Sequence, residues 1–197
     1  MKNCFDEKDI SNAVYLYPSC CLHVTIASPY PFTVQPPNEA DKEKHIHLWK
    51  DVFIQASNHD LWPSDKIQLK LSHTQIGKKA GILLWEEDSG DRIELIRKCI
   101  QIVTDSKADE ATKLGINLKA LSIPPIIHST FLRFLNEPSF STGESIQEKF
   151  QRNIVSCLDK YFTDGITLDS VKFVYERTPY MHIPNDDSHV LHEIKLD

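Results

Sequence analysis

The chain has 197 residues, of which 41% are hydrophobic and 25% charged, a balance that suits one globular domain or two small lobes sharing a core. Its formal net charge of -6 excludes nucleic-acid binding through a broad basic surface, while a small phosphorylated molecule or the end of an RNA would still be accepted. Five cysteines, an odd number without paired-motif spacing, read as reduced thiols in a cytosolic protein. The start, Met1 to Ile10, carries Asp6, Glu7 and Asp9 where a signal peptide needs an apolar core. No run approaches the roughly 20 apolar residues of a membrane span. The expectation is a cytoplasmic monomer without membrane contact, the nucleus being the open alternative.

In chain order, the run Cys20-Cys21-Leu22-His23-Val24-Thr25-Ile26-Ala27 is predicted as the first strand. Pro29, Pro31, Pro36 and Pro37 then impose a loop. Asn38 is placed to cap a helix, with Glu39 and Asp41 suited to its N-terminus. Ile46, Trp49, Val52, Phe53 and Ala56 recur at helical spacing as far as about Leu61. Ile67, Leu69 and Leu71 alternate as a strand toward Gln75, and a turn at Gly77-Lys78-Lys79 leads into a short apolar strand, Ala80 to Trp85.

A helix is expected from about Gly90 to Thr104, burying Ile93, Ile96, Ile100 and Val103, and a shorter one over 107–114 that Gly115 stops. Pro124 and Pro125 precede a second histidine run, Ile126-Ile127-His128-Ser129-Thr130-Phe131-Leu132-Arg133-Phe134. Ser141 and Glu144 form a capping box for a further helix, whose stripe is Ile146, Phe150, Ile154, Cys157, Leu158 and Tyr161. Val171, Phe173 and Tyr175 alternate as a strand, as do Val190, His192, Ile194 and Leu196.

The order strand, helix, strand, strand thus occurs twice, over residues 20–87 and 126–196. This pattern predicts an α+β fold of two β-α-β-β units: one lobe at about 20–87, a connecting helical segment at about 88–120 and a second lobe at about 121–197. An approximate two-fold relating the lobes would bring their opening strands together around a central cleft, with helices outside.

Each opening run places a histidine two residues before a threonine, so that both side chains share one face of a strand. An isolated His-x-Thr means little, because a buried histidine beside a strand threonine is common. Among nine histidines, however, only His23 and His128 carry serine or threonine two residues on, and in both cases threonine is followed by a hydrophobe. Motif and context agree, which favours function over packing.

The pair His23-Val24-Thr25-Ile26 and His128-Ser129-Thr130-Phe131 resembles the signature of the two-histidine (2H) phosphoesterase superfamily, the LigT-like and cyclic-phosphodiesterase group. The surroundings of His128 are most similar to its RNA ligase/cyclic nucleotide phosphodiesterase-like branch. The resemblance implies a two-lobed fold with pseudo-two-fold symmetry and metal-independent, cofactor-free chemistry on 2′,3′-cyclic or 2′,5′-linked phosphates. It carries over at four positions, His23, Thr25, His128 and Thr130. Members of the family often have a strand and a helix before the first motif, whereas here only some twenty residues precede it.

The chemistry can be argued on its own terms. Opening a cyclic phosphodiester requires deprotonating water on one side of phosphorus and protonating the departing ribose oxygen on the other. Imidazole suits both roles, and threonine hydroxyls can hold the equatorial oxygens. The expected activity is metal-independent hydrolysis of a 2′,3′-cyclic phosphate on a nucleotide or RNA end. The alternatives are a nucleotide- or RNA-end-binding module that turns nothing over, and a 2′,5′ RNA ligase/phosphodiesterase.

Other polar residues are weaker candidates. His45 and His47, two apart on a helix, point roughly 200° away from each other and read as solvated. His73 shares the parity of Ile67, Leu69 and Leu71 and reads as a structural histidine, with the cleft as its alternative. His182, His189 and His192 lack zinc-like ligand spacing. Arg177 and Tyr180, at a strand end, can hold a phosphate and stack on a base, against a bland reading as a salt bridge and a packed turn tyrosine.

Overall fold

The computed structural model describes residues 14–18, 22–30, 38–77, 79–88, 90–135, 148, 157–158, 161–175 and 189–197. It is an α+β protein whose chain forms two compact units: Met1–Val24, Leu69–Asp88 and Ile126–Ile166 make the first, and Thr25–Gln68, Ser89–Pro125 and Thr167–Asp197 the second. Each unit therefore draws on both the 20–87 and the 121–197 segments.

Most of a five-stranded antiparallel sheet belongs to the first unit. Its strands are β1 (Val14–Leu16), β2 (Ile67–Ile76), β3 (Ala80–Glu87), β4 (His128–Phe134) and β5 (Ile166–Leu168), in the order β1-β4-β3-β2-β5. β2 and β3 form the expected hairpin, closed where the Gly77 N–H donates to the Ala80 carbonyl at 2.8 Å. Leu69, Leu83, Trp85, Phe131 and Leu132 are buried in this unit. Gly81 is required by close approach, since a Cβ there would stand 2.8 Å from Leu132 Cγ. Gly165 takes a positive φ of 69° beside the Leu69 carbonyl, where any other residue would collide with the backbone of β2.

In the second unit, helix α1 (Glu39–Ser57) begins as the sequence suggests, with Asn38 Oδ1 accepting from the Asp41 N–H at 2.9 Å. It buries Leu48, Trp49, Val52, Phe53 and Ala56 and packs on α2 (Arg92–Ser106), which buries Ile93, Ile96, Ile100 and Val103. Helix α3 (Ala108–Leu114) stops at Gly115 in the left-handed conformation, and Ile116 N–H reaches back to the Ala111 carbonyl at 2.8 Å. A 3-10 turn at Leu118–Ala120 follows. Strands β6 (Ser170–Val174) and β7 (Val190–Lys195) pair antiparallel, and Phe53 of α1 stacks on Phe173 and meets the edge of His192.

Three expectations change. The run Leu22–Ala27 has no regular structure, and the first described strand lies earlier, at Val14–Leu16. The run joins neither edge of β4, which pairs with β1 on one side and β3 on the other. The run ends instead in one isolated bridge, in which Ser28 and Ser122 exchange two 2.8 Å hydrogen bonds. Tyr161, assigned to an apolar stripe, is 75% exposed. His73 leaves the core parity, as described below. The capping box Ser141/Glu144 lies outside the described residues.

Candidate functional site

The described polar residues converge best on β4. Trp85 N–H donates to the Ile127 carbonyl at 2.9 Å and leads β4 into register, with Leu84 opposite His128, Leu83 opposite Ser129 and Ile82 opposite Thr130. Side chains alternate across a strand, so Ser129 goes to the buried face with Leu83 and Trp85. There its hydroxyl accepts a 3.0 Å hydrogen bond from the Trp85 indole N–H. His128 and Thr130 consequently share the opposite face, and both are half-buried. The Nδ1 atom of His128 is shielded from solvent.

Beyond Thr130 the ladder slips. Leu132 pairs with Gly81 while Thr130 pairs with Ile82, so Phe131 is the extra residue of a β-bulge. Phe131 is buried, and its carbonyl accepts from the Tyr17 N–H at 3.0 Å. Because the bulge consumes one residue, Arg133, opposite Ala80, returns to the face of His128 and Thr130. Its Nε donates to the Tyr17 hydroxyl at 3.1 Å.

A second bulge acts on β2. Leu71 pairs with Trp85 but His73 pairs with Leu84, so Ser72 is the extra residue. Its insertion reverses the parity of everything that follows: Thr74 is buried, whereas His73 and Gln75 are exposed. The assignment of His73 to the core face is therefore corrected. His73 and Gln75 lie on the same sheet face as His128 and Thr130. Sequence reasoning missed this because a parity count has no place for a bulge; the signal present was the break of apolar alternation at Ser72-His73-Thr74.

The other predicted site residues are placed as follows. His23 is half-buried in the irregular Leu22–Ala27 run and belongs to the same compact unit as His128 and Thr130, whereas Thr25, also half-buried, begins the other unit. Next to Thr25, the Ile26 carbonyl accepts from Nε of the buried Arg97 of α2 at 3.3 Å. Arg177 and Tyr180 lie outside the described residues.

Of the remaining histidines, His45 is not simply solvated. It is hydrogen-bonded to the Tyr30 hydroxyl, and burial pushes its pKa below the ordinary histidine value. His47 is exposed, and His192 is packed on Phe53. Among the described residues, no three His, Cys, Asp or Glu side chains gather as metal ligands, and no helix is long and apolar enough to cross a membrane. Cys99 is a buried thiol whose pKa burial raises. No family model matches the chain, and neither do curated proteins or solved structures.

Proposed function

We propose that the protein is a metal-independent phosphodiesterase that hydrolyses the 2′,3′-cyclic phosphate of a nucleotide or RNA end. The observation that carries this reading is the position of His128 and Thr130 side by side on one half-buried face of β4, turned outward by the inward anchoring of Ser129. The resemblance to two-histidine phosphoesterases implies the same roles for the residues of the second His-x-Thr run, His23 and Thr25. The two-lobed architecture implied by that resemblance belongs to the same proposal, without the opening strand of its first β-α-β-β unit, because Leu22–Ala27 is irregular.

The chemistry needs one neutral and one protonated imidazole. The neutral ring removes a proton from water as its oxygen bonds to phosphorus. The protonated ring gives its proton to the ribose oxygen as the P–O bond breaks, leaving a phosphomonoester and a free ribose hydroxyl. The threonine hydroxyls donate to the equatorial oxygens, where charge accumulates. Proton exchange with solvent restores the two rings for the next turnover. Acid, base and oxyanion donors are then all side chains of this protein, and the mechanism calls on no metal or cofactor.

The test is incubation with the four nucleoside 2′,3′-cyclic monophosphates, with identification of the 2′- or 3′-monophosphate formed. Turnover by the wild-type protein that disappears in His128→Ala supports the reading. No turnover of these substrates or of cyclic-phosphate-ended RNA overturns it.

A further inference from the structure

His73, Leu84 and His128 stand in one row across β2, β3 and β4, and Gln75, Ile82 and Thr130 stand in the next row. All six side chains project from the same sheet face, and all belong to the same compact unit. Adjacent strands lie about 4.8 Å apart, so His73 and His128 are separated by about 10 Å from backbone to backbone. Between them Leu84 and Ile82 form a half-buried aliphatic floor. On its far side are an exposed imidazole and an exposed carboxamide. The bulge at Ser72 is what turns both polar groups onto this face. Without it the pairing parity would send them to the opposite one.

We propose that Ile82, Leu84, His73 and Gln75 form a nucleobase subsite. This assignment rests on the phosphodiesterase reading of His128 and Thr130 and deepens it. With the cyclic phosphate at His128 and Thr130, the base of the same nucleoside lies over Leu84 and Ile82. Its π-face covers the aliphatic side chains while its polar edge meets the Gln75 carboxamide and the His73 ring. The span of two strand spacings matches a single nucleoside. On this reading the protein recognises the nucleobase of its substrate as well as the cyclic phosphate. Gln75 offers both donor and acceptor, so it can pair with the edge of any base, and His73 adds a hydrogen bond whose sense depends on its tautomer.

The experiment compares wild type, His73→Ala and Gln75→Ala on adenosine 2′,3′-cyclic phosphate and on methyl riboside 2′,3′-cyclic phosphate, which lacks a base. Equilibrium binding of adenosine 2′-monophosphate is measured in parallel. Both positions are exposed, so neither substitution disturbs the core. Each variant is expected to raise KM for the adenosine substrate and to weaken adenosine 2′-monophosphate about threefold to tenfold, the scale of one net hydrogen bond. The kcat for the adenosine substrate and all constants for the baseless substrate should stay unchanged. Equal losses on both substrates, or no loss on either, overturn the subsite. If nothing is turned over but adenosine 2′-monophosphate binds in a His73- and Gln75-dependent way, the subsite stands and the catalytic reading falls. Absence of both turnover and nucleotide binding overturns the two together.

Discussion

Trp85 and Ser129 are joined by a buried hydrogen bond, 3.0 Å from indole nitrogen to hydroxyl, between adjacent strands of one sheet. The bond fixes which way β4 presents its side chains. With Ser129 held on the inner face, His128 and Thr130 must point outward. Replacing Ser129 with alanine removes the acceptor and leaves the indole N–H without it in an apolar interior. Ser129→Ala should therefore lower unfolding free energy by about 1–3 kcal/mol, as buried donors that lose their partner do. Chemical denaturation checks it; a variant as stable as wild type would mean that this bond does not anchor the strand.

Each motif residue gives a separate prediction. His128→Ala and His23→Ala should keep the fold and reduce turnover of the cyclic phosphate about a hundredfold or more, the scale of losing a general acid or base. Thr130→Val and Thr25→Val should lose about tenfold to a thousandfold, the scale of one oxyanion donor. Steady-state kinetics on folded variants reads both. Near-full activity in either histidine variant would reject the division of roles. Thr25 is the sterner test, because its run lacks the strand backbone that positions Thr130.

Much of the helical part of the fold was legible in the sequence. The cap at Asn38, the buried stripe of α2 and the stop at Gly115 all follow from local chemistry, because helix pattern and termini depend on residues close in the chain. The sheet was less legible. The Leu22–Ala27 run has strand-like composition yet forms no ladder, and composition does not say which segments pair, since partners such as β1 and β4 lie more than a hundred positions apart. The two bulges were hidden for a related reason: one extra residue reverses the face of everything after it, while composition hardly changes. Hence Arg133 and His73 reach the candidate site face by a route that simple alternation does not foresee. That His128 and Thr130 share one strand face was legible because no bulge falls between them.

The donor set itself predicts how the activity responds to chelation. If two histidines and two threonines supply acid, base and oxyanion donors, as proposed, hydrolysis of a 2′,3′-cyclic nucleotide should proceed at an undiminished rate in excess EDTA. Loss of activity with chelator, followed by recovery on adding a divalent ion, would reject the metal-free mechanism.

The last prediction concerns how α1 is tied to the α2–α3 junction. Asp51 of α1 meets Lys107 at 2.7 Å, and Lys107 also reaches Glu110 at 2.8 Å. The hydrogen bond from Lys107 holds the Asp51 carboxyl below its ordinary range, and the same bond holds the lysine above its own. A carboxylate with a lowered folded-state pKa contributes stability above its unfolded value, and that contribution is lost as pH falls through the folded one. For the lysine the sense is opposite: its contribution is present below the unfolded value and disappears as pH rises through the raised one. The pair should thus stabilise the fold across neutral pH and fail at both extremes. Asp51 is substantially exposed, so solvent and salt screen the effect and its size is small. Asp51→Asn should be less stable than wild type at pH 7, with the difference shrinking below about pH 4, where the unfolded carboxyl is itself protonated. Thermal unfolding of both proteins as a function of pH and salt provides the measurement. A stability difference independent of pH would show that Asp51 acts through packing and not through its charge.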